Sequence, residues 1–150
     1  MIHQIGLFIH ILGIFLIAGG NVGSFVAERQ LWKNMAEPEG AKRILPMLLI
    51  FPPIIIVGAL LMLLSGLIML YSVDWGFAGQ SWFAVKIVIF ITLVLNGRLA
   101  IKRTLIEITA RTLAGDYESV TGRLRRKLNR LHVIQYSLLL ILLGVTVFRF

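Results

Sequence analysis

Four long apolar stretches dominate this sequence of 150 residues and restrict what it can fold into. They cover residues 4–26, 44–72, 82–101 and 131–149, and each can cross about 30 Å of hydrocarbon as a helix. In lipid, a helix satisfies the hydrogen bonds of its own backbone. Because 58% of the residues are hydrophobic, no part of the chain is left for a separate soluble domain. The sequence therefore predicts an all-α integral membrane four-helix bundle that forms a single domain over residues 1–150.

Basic residues are distributed unevenly between these stretches. They are concentrated in the connection between stretches one and two and in the connection between stretches three and four, whereas residues 73–81 contain no Lys or Arg. By the positive-inside rule, both basic connections are cytoplasmic, so both termini and the short loop lie outside. The net charge of +8 then reflects orientation and contact with the anionic lipid of a bacterial inner membrane. We do not expect binding to nucleic acid.

Helical patterns continue beyond the third stretch and precede the fourth. Apolar residues recur at helical spacing among charged ones as far as Gly115, and Asp116 is suited to start the next helix. These patterns predict that spans three and four extend into the cytoplasm as a helical hairpin. Residues 28–42 are instead predicted to form a short surface loop or interfacial turn. The apolar positions of the two patterns are Ile101, Leu105, Ile108, Leu124, Leu128 and Leu131.

The first stretch carries a seam of small and polar residues, hereafter the glycine seam. Imidazole avoids the acyl phase, and glycine lets another backbone or a flat ligand approach closely, so the seam is expected to face protein. Within it, His10 lies between Gly6 and Gly13, which clears space for a planar group such as a porphyrin. Alternatively, His10 bonds to a neighbouring helix and the glycines are ordinary close-packing residues. The seam consists of His3, Gly6, His10, Gly13, Ile17, Gly20 and Ser24.

Lys86 is a basic residue inside the third hydrophobic span. A lysine there is costly, so it snorkels to the interface, pairs with a carboxylate such as Asp74, loses its proton or ligates something. At about 1.5 Å per residue, Lys86 and His10 lie at similar depths below the outer surface. His132 begins the fourth span at the opposite surface, which is too far away for it to ligate the same iron as His10.

Two methionines provide the remaining candidate ligands. Met62 and Met69 are seven residues apart and share one face of the second span. Methionine at this spacing is usually core filler, but its thioether can also ligate iron or copper. If His10 ligates a metal ion, its possible second ligands are Lys86, Met62, Met69 or a residue from another subunit.

Three segments resemble a known family. They are FIHILGIFLIAGG around His10, AKRIL before the proline-bearing second span, and SWFAVKIVIF around Lys86. Together with the terminal FRF they are similar to the HemJ-type protoporphyrinogen oxidases and the wider copper-resistance-D-like superfamily of small four-helix membrane proteins. The resemblance covers most of the chain, although Asn96 stands where that family usually has a histidine. It implies that haem b binds through His10 and Lys86 and that protoporphyrinogen IX or a related tetrapyrrole is oxidised.

Three functional hypotheses follow. The first is a haem-binding oxidoreductase, with His10, Lys86, Gly6 and Gly13 at the cofactor and no catalytic residue assigned. The second is a non-enzymatic scaffold that forms a homodimer or other homo-oligomer through the glycine seam. The third is copper handling through His3, His10, Met62 and Met69.

Overall fold

The computed structural model describes residues 1–148, which form four long helices. They are α1 (Ile2–Lys33), α2 (Pro38–Tyr71), α3 (Ser81–Leu113) and α4 (Tyr117–Phe148). Each is long and apolar enough to cross a membrane, which confirms the predicted all-α membrane bundle. Residues 149 and 150, which end the predicted fourth span and the FRF segment, lie outside the described residues.

The helices are longer than the apolar stretches on the side that the basic residues assign to the cytoplasm. The predicted surface loop at residues 28–42 is wrong over most of its length, because only residues 34–37 connect α1 to α2. Ala27 and Leu31 continue a buried face past the charged residues around them, so α1 remains helical as far as Lys33. Pro38 opens α2 at a position where its missing N–H costs no hydrogen bond.

The predicted helical hairpin between spans three and four is confirmed. Residues 114–116 connect α3 to α4, with Gly115 in the left-handed conformation at φ 79°. The Asp116 carboxylate accepts a hydrogen bond from the Ser119 backbone N–H at 3.2 Å and so caps the start of α4. Each of the two helices contains a π-helical segment, Asn96–Ile101 in α3 and Val120–Leu124 in α4.

The densest apolar core lies in the cytoplasmic extension of the four helices and not between the membrane spans. The apolar positions of both predicted helical patterns contribute to this core. Of these positions, only Leu131 is incompletely buried. Most large apolar residues of the spans are instead exposed on the bundle surface, as lipid contact requires. The core comprises Ala27, Leu31, Met35, Ala41, Leu45, Leu48, Ile101, Leu105, Ile108, Val120, Leu124 and Leu128.

The glycine seam faces protein as predicted, and the protein that it faces is α2. A Cβ atom on Gly13 would lie 2.8 Å from the carbonyl oxygen of Gly58, and a Cβ atom on Gly58 would lie 2.8 Å from that of Gly13. Such distances permit only glycine at both positions, so the two backbones cross closely. The helices α1 and α2 therefore form one tight pair, and α3 and α4 form the other.

Candidate functional site

His10 points toward α2. Its Nδ1 lies 2.9 Å from the hydroxyl oxygen of Ser65, which is buried in α2. That hydroxyl donates its proton to the Leu61 carbonyl oxygen at 2.6 Å, so it accepts a hydrogen bond from the imidazole. His3 lies in the same way 2.9 Å from the hydroxyl oxygen of Ser72. Two contacts between histidine and serine therefore join α1 to α2 in the outer half of the bundle.

The glycines that flank His10 are covered by side chains of α2. A Cβ atom on Gly6 would lie 2.8 Å from Cγ of Met69, and one on Gly13 would lie 2.8 Å from Cγ of Met62. The two methionines considered as metal ligands thus pack into the space that the glycines leave. A planar cofactor does not fit beside His10 unless α2 moves away from α1.

Lys86 of α3 lies close enough to His10 to act on it electrostatically. Both side chains are half-buried. Across residues 1–148, no group of three or more His, Cys, Asp or Glu side chains is arranged to hold a metal ion. Ligation of haem or copper by His10 therefore stays a prediction from the sequence.

Because α2 packs against the glycine seam, this face of α1 is not open to a second copy of the chain, as the predicted homodimer requires. At Gly6, Gly13 and Gly20 the nearest atoms across the seam belong to α2 of the same chain. A second copy could use this face only by displacing α2. Association through the glycine seam likewise stays a prediction.

A second polar cluster joins α1 to α4 nearer the cytoplasmic side. His132 Nδ1 lies 3.2 Å from Oε2 of Glu28, and these side chains are 10% and 4% exposed. The Ser24 hydroxyl donates a hydrogen bond to the other carboxylate oxygen, Oε1, at 3.1 Å. Burial of a carboxylate is costly unless it is paired and hydrogen-bonded, and Glu28 has a partner for each oxygen.

Two amide side chains extend this cluster from α3 to α4. Asn96 Nδ2 donates to the Gln135 side-chain oxygen at 2.8 Å and to the Leu131 carbonyl oxygen at 3.2 Å. Gln135 is buried and lies one helical turn from His132. Asn96 begins the π-helical segment of α3, and such segments are frequent at functional sites.

A cavity of about 400 Å³ separates the α1 and α2 pair from the α3 and α4 pair. All four helices line it, and most of its wall is apolar, with Ile55 of α2 and Phe90 of α3 as examples. Its volume falls within the range of small-molecule and cofactor sites, about 300 to 1,000 Å³. Its polar lining residues lie toward the cytoplasmic side and are Asn21, Ser24, Arg98, Lys102, His132 and Gln135.

The contact with Glu28 determines what His132 can do in this cavity. Because Nδ1 is engaged by the carboxylate, Nε2 is the ring nitrogen that remains for a ligand. A carboxylate in this position fixes the tautomer and the orientation of the ring. Arg98 and Lys102 add positive charge at the same end. The arrangement suits an apolar, cofactor-sized molecule that carries one or more anionic groups.

Glu28 and His132 are not among the site residues selected from the sequence. The signal for Glu28 is the glycine seam itself, because one further step of four residues from Ser24 reaches it. His132 is expected at a water-facing helix end when the fourth span is taken to begin at residue 131. In the structure α4 begins at Tyr117, so His132 lies within the helix and is buried.

Comparison with known proteins identifies a family of membrane proteins. The model of a family described as "Predicted integral membrane protein (DUF2269)" matches residues 5–149. No curated protein and no solved structure matches the chain. The family match supports a membrane-protein family, as the sequence predicts, but it does not support identity with the HemJ-type oxidases or the copper-resistance-D-like superfamily.

Proposed function

The chain belongs to the DUF2269 family of predicted integral membrane proteins, and we propose that it binds haem b in the cavity between its two helix pairs. The observation that carries this proposal is the buried contact between His132 and Glu28 at the edge of that cavity. Haem iron is commonly held by a histidine whose second ring nitrogen is hydrogen-bonded to a carboxylate, a carbonyl or water. His132, in place of His10, would then hold the iron.

The lining of the cavity supports the same ligand. A porphyrin needs extended apolar walls, and all four helices provide them. Its carboxylate groups need cations, which Arg98 and Lys102 supply toward the cytoplasmic side. The distribution of basic residues supports an inner-membrane location with this end of the cavity facing the cytoplasm.

The residues of the chain have separate tasks in this proposal. His132 would hold the iron, Glu28 would orient the imidazole, and the apolar wall would exclude water, which strengthens electrostatic interactions within the site. Bound haem would supply one-electron chemistry, with its potential set by the residue that holds it and by the surrounding polarity. Oxidation of protoporphyrinogen IX or a related tetrapyrrole is the reaction that the resemblance implies, and it rests on that resemblance alone.

An absorbance spectrum of the purified protein tests the proposal. Protein from haem-replete cells is expected to show a Soret band that shifts on reduction with dithionite. His132→Ala should remove most of this band because it removes the ligand, whereas His10→Ala should retain it because that ring faces Ser65. Both variants exchange a histidine for alanine in the same helical bundle, so each serves as the control for the other.

Two results would contradict the proposal in different ways. Colourless wild-type protein that stays colourless after haem is added would reject haem binding altogether. A Soret band lost in His10→Ala and kept in His132→Ala would instead support the site at His10 and Lys86. Size-exclusion elution identical to wild type is required of both variants, so that loss of colour is not loss of fold.

A further inference from the structure

A groove between α1 and α4, hereafter the α1/α4 groove, lies next to the haem cavity proposed above. Its lining is more cationic than that of the mostly apolar cavity. Its volume is about 660 Å³, and His132 lines both spaces. Three cationic side chains line the groove, Arg29 and Lys33 from α1 and Arg125 from α4. All three are exposed, so they are accessible to a ligand from the cytoplasmic side.

The groove carries a net positive charge, because, in the described part of the chain, its three cationic side chains outnumber its one carboxylate, that of Glu28. Glu28 is the one acidic residue among the described residues that line it, and its carboxylate is engaged by His132 and Ser24. The Arg125 guanidinium lies 5.5 Å from the centre of the Trp32 ring, a cation–π contact that positions this charge over the groove. The groove therefore presents cations from two helices to one bound group.

The order of residues along both helices matches the depth profile of a phospholipid. On α1, Phe25 lies about 6 Å deeper in the membrane than Arg29, and on α4, Val133 lies about 12 Å deeper than Arg125. Phe25 and Val133 are exposed apolar residues that line the same groove, and Tyr136 lies beyond them toward the membrane. One end of the groove thus carries positive charge, and the other presents apolar surface at the level of the acyl chains.

We propose that the α1/α4 groove binds an anionic phospholipid of the cytoplasmic leaflet. Arg29, Lys33 and Arg125 bind the phosphate, and Phe25 and Val133 contact an acyl chain. Charge complementarity and this depth order favour a lipid over a soluble phosphate compound, because a soluble compound would leave the apolar end of the groove uncovered. The proposal does not require that the neighbouring cavity holds haem.

Native mass spectrometry of the detergent-purified full chain tests this site with defined lipids. Dioleoylphosphatidylglycerol should bind wild-type protein more tightly than dioleoylphosphatidylcholine, whose phosphate is offset by its choline. Each surface cation contributes about 1 kcal/mol, so the double substitution Arg29→Gln with Arg125→Gln should weaken phosphatidylglycerol binding about 30-fold. The control is Arg103→Gln with Arg130→Gln, which removes the same charge from exposed residues outside the groove and should weaken binding less than threefold.

Three results would overturn the proposal. Equal affinity of wild-type protein for the two lipids would show that the head-group charge is not recognised, and this comparison needs no variant. Equal weakening in the two double variants would show a general surface-charge effect. Displacement of phosphatidylglycerol by an equal concentration of glycerol 3-phosphate would identify a soluble phosphate compound as the occupant.

Discussion

Replacing Gly13 with leucine is expected to lower the free energy of unfolding by about 3 kcal/mol or more. The first atom added, Cβ, would lie 2.8 Å from the Gly58 carbonyl oxygen and 3.1 Å from the Met62 backbone nitrogen. Backbone atoms of a packed helix cannot rotate aside as a flexible side chain can, so α1 and α2 must separate. Thermal or denaturant unfolding of the purified protein in detergent, followed by circular dichroism, measures the loss.

Gly19→Leu is the matched control for Gly13→Leu. Gly19 is in the same helix, and a Cβ atom there would meet nothing within 4 Å. Leucine is the better helix former by about 0.8 kcal/mol, so Gly19→Leu should leave stability unchanged or slightly raised. Equal losses in the two variants would contradict the close crossing at Gly58. A change in oligomeric state without loss of monomer stability in Gly13→Leu would support the predicted homo-oligomeric scaffold.

Replacing Glu28 with alanine is expected to cost about 3 kcal/mol of stability. The substitution leaves His132 buried without its carboxylate and removes the acceptor of the Ser24 hydroxyl. It also frees the imidazole to change its tautomer and its orientation. Chemical denaturation of the purified protein measures the stability, and the Soret band proposed above reports on whether haem is still bound.

Two control variants separate the possible causes of that loss. Glu28→Gln keeps an acceptor for His132 but removes the charge, so it should cost only about 1 kcal/mol. Glu107→Ala removes an exposed carboxylate that lies 4.0 Å from Lys127, and exposed pairs of this kind contribute less than about 1 kcal/mol. If Glu28→Ala is no more destabilising than Glu107→Ala, the contact between Glu28 and His132 does not stabilise the bundle.

The fold follows largely from features that are local in the sequence. Apolar length predicts the four helices, and the stripe at Leu124 and Leu128 predicts a cytoplasmic extension, because helical periodicity needs no knowledge of distant residues. The glycine seam likewise reveals that one face of α1 is covered. It cannot reveal what covers it, since a second copy, a flat cofactor and α2 all fit a row of glycines.

The candidate site depends on contacts between residues far apart in the chain, and this is why the sequence predicts it less well. Glu28 is followed by Arg29, and His132 lies two residues after Arg130, so both resemble solvated side chains. Their burial results from the extension of α1 to Lys33 and of α4 from Tyr117, which lengthens the bundle past the apolar stretches. The boundary between membrane span and soluble extension is thus where prediction from hydropathy is least informative.

The position of His132 between the cavity and the α1/α4 groove has a thermodynamic consequence. One imidazole ring forms part of the wall of both spaces, and Glu28 fixes its orientation. Two molecules that contact the same side chain cannot bind independently if either of them shifts it. If a lipid in the groove changes the affinity of the cavity for its ligand, the ligand changes the affinity of the groove for the lipid by the same factor. The lipid composition of the surrounding bilayer would then regulate how tightly the cavity holds its ligand.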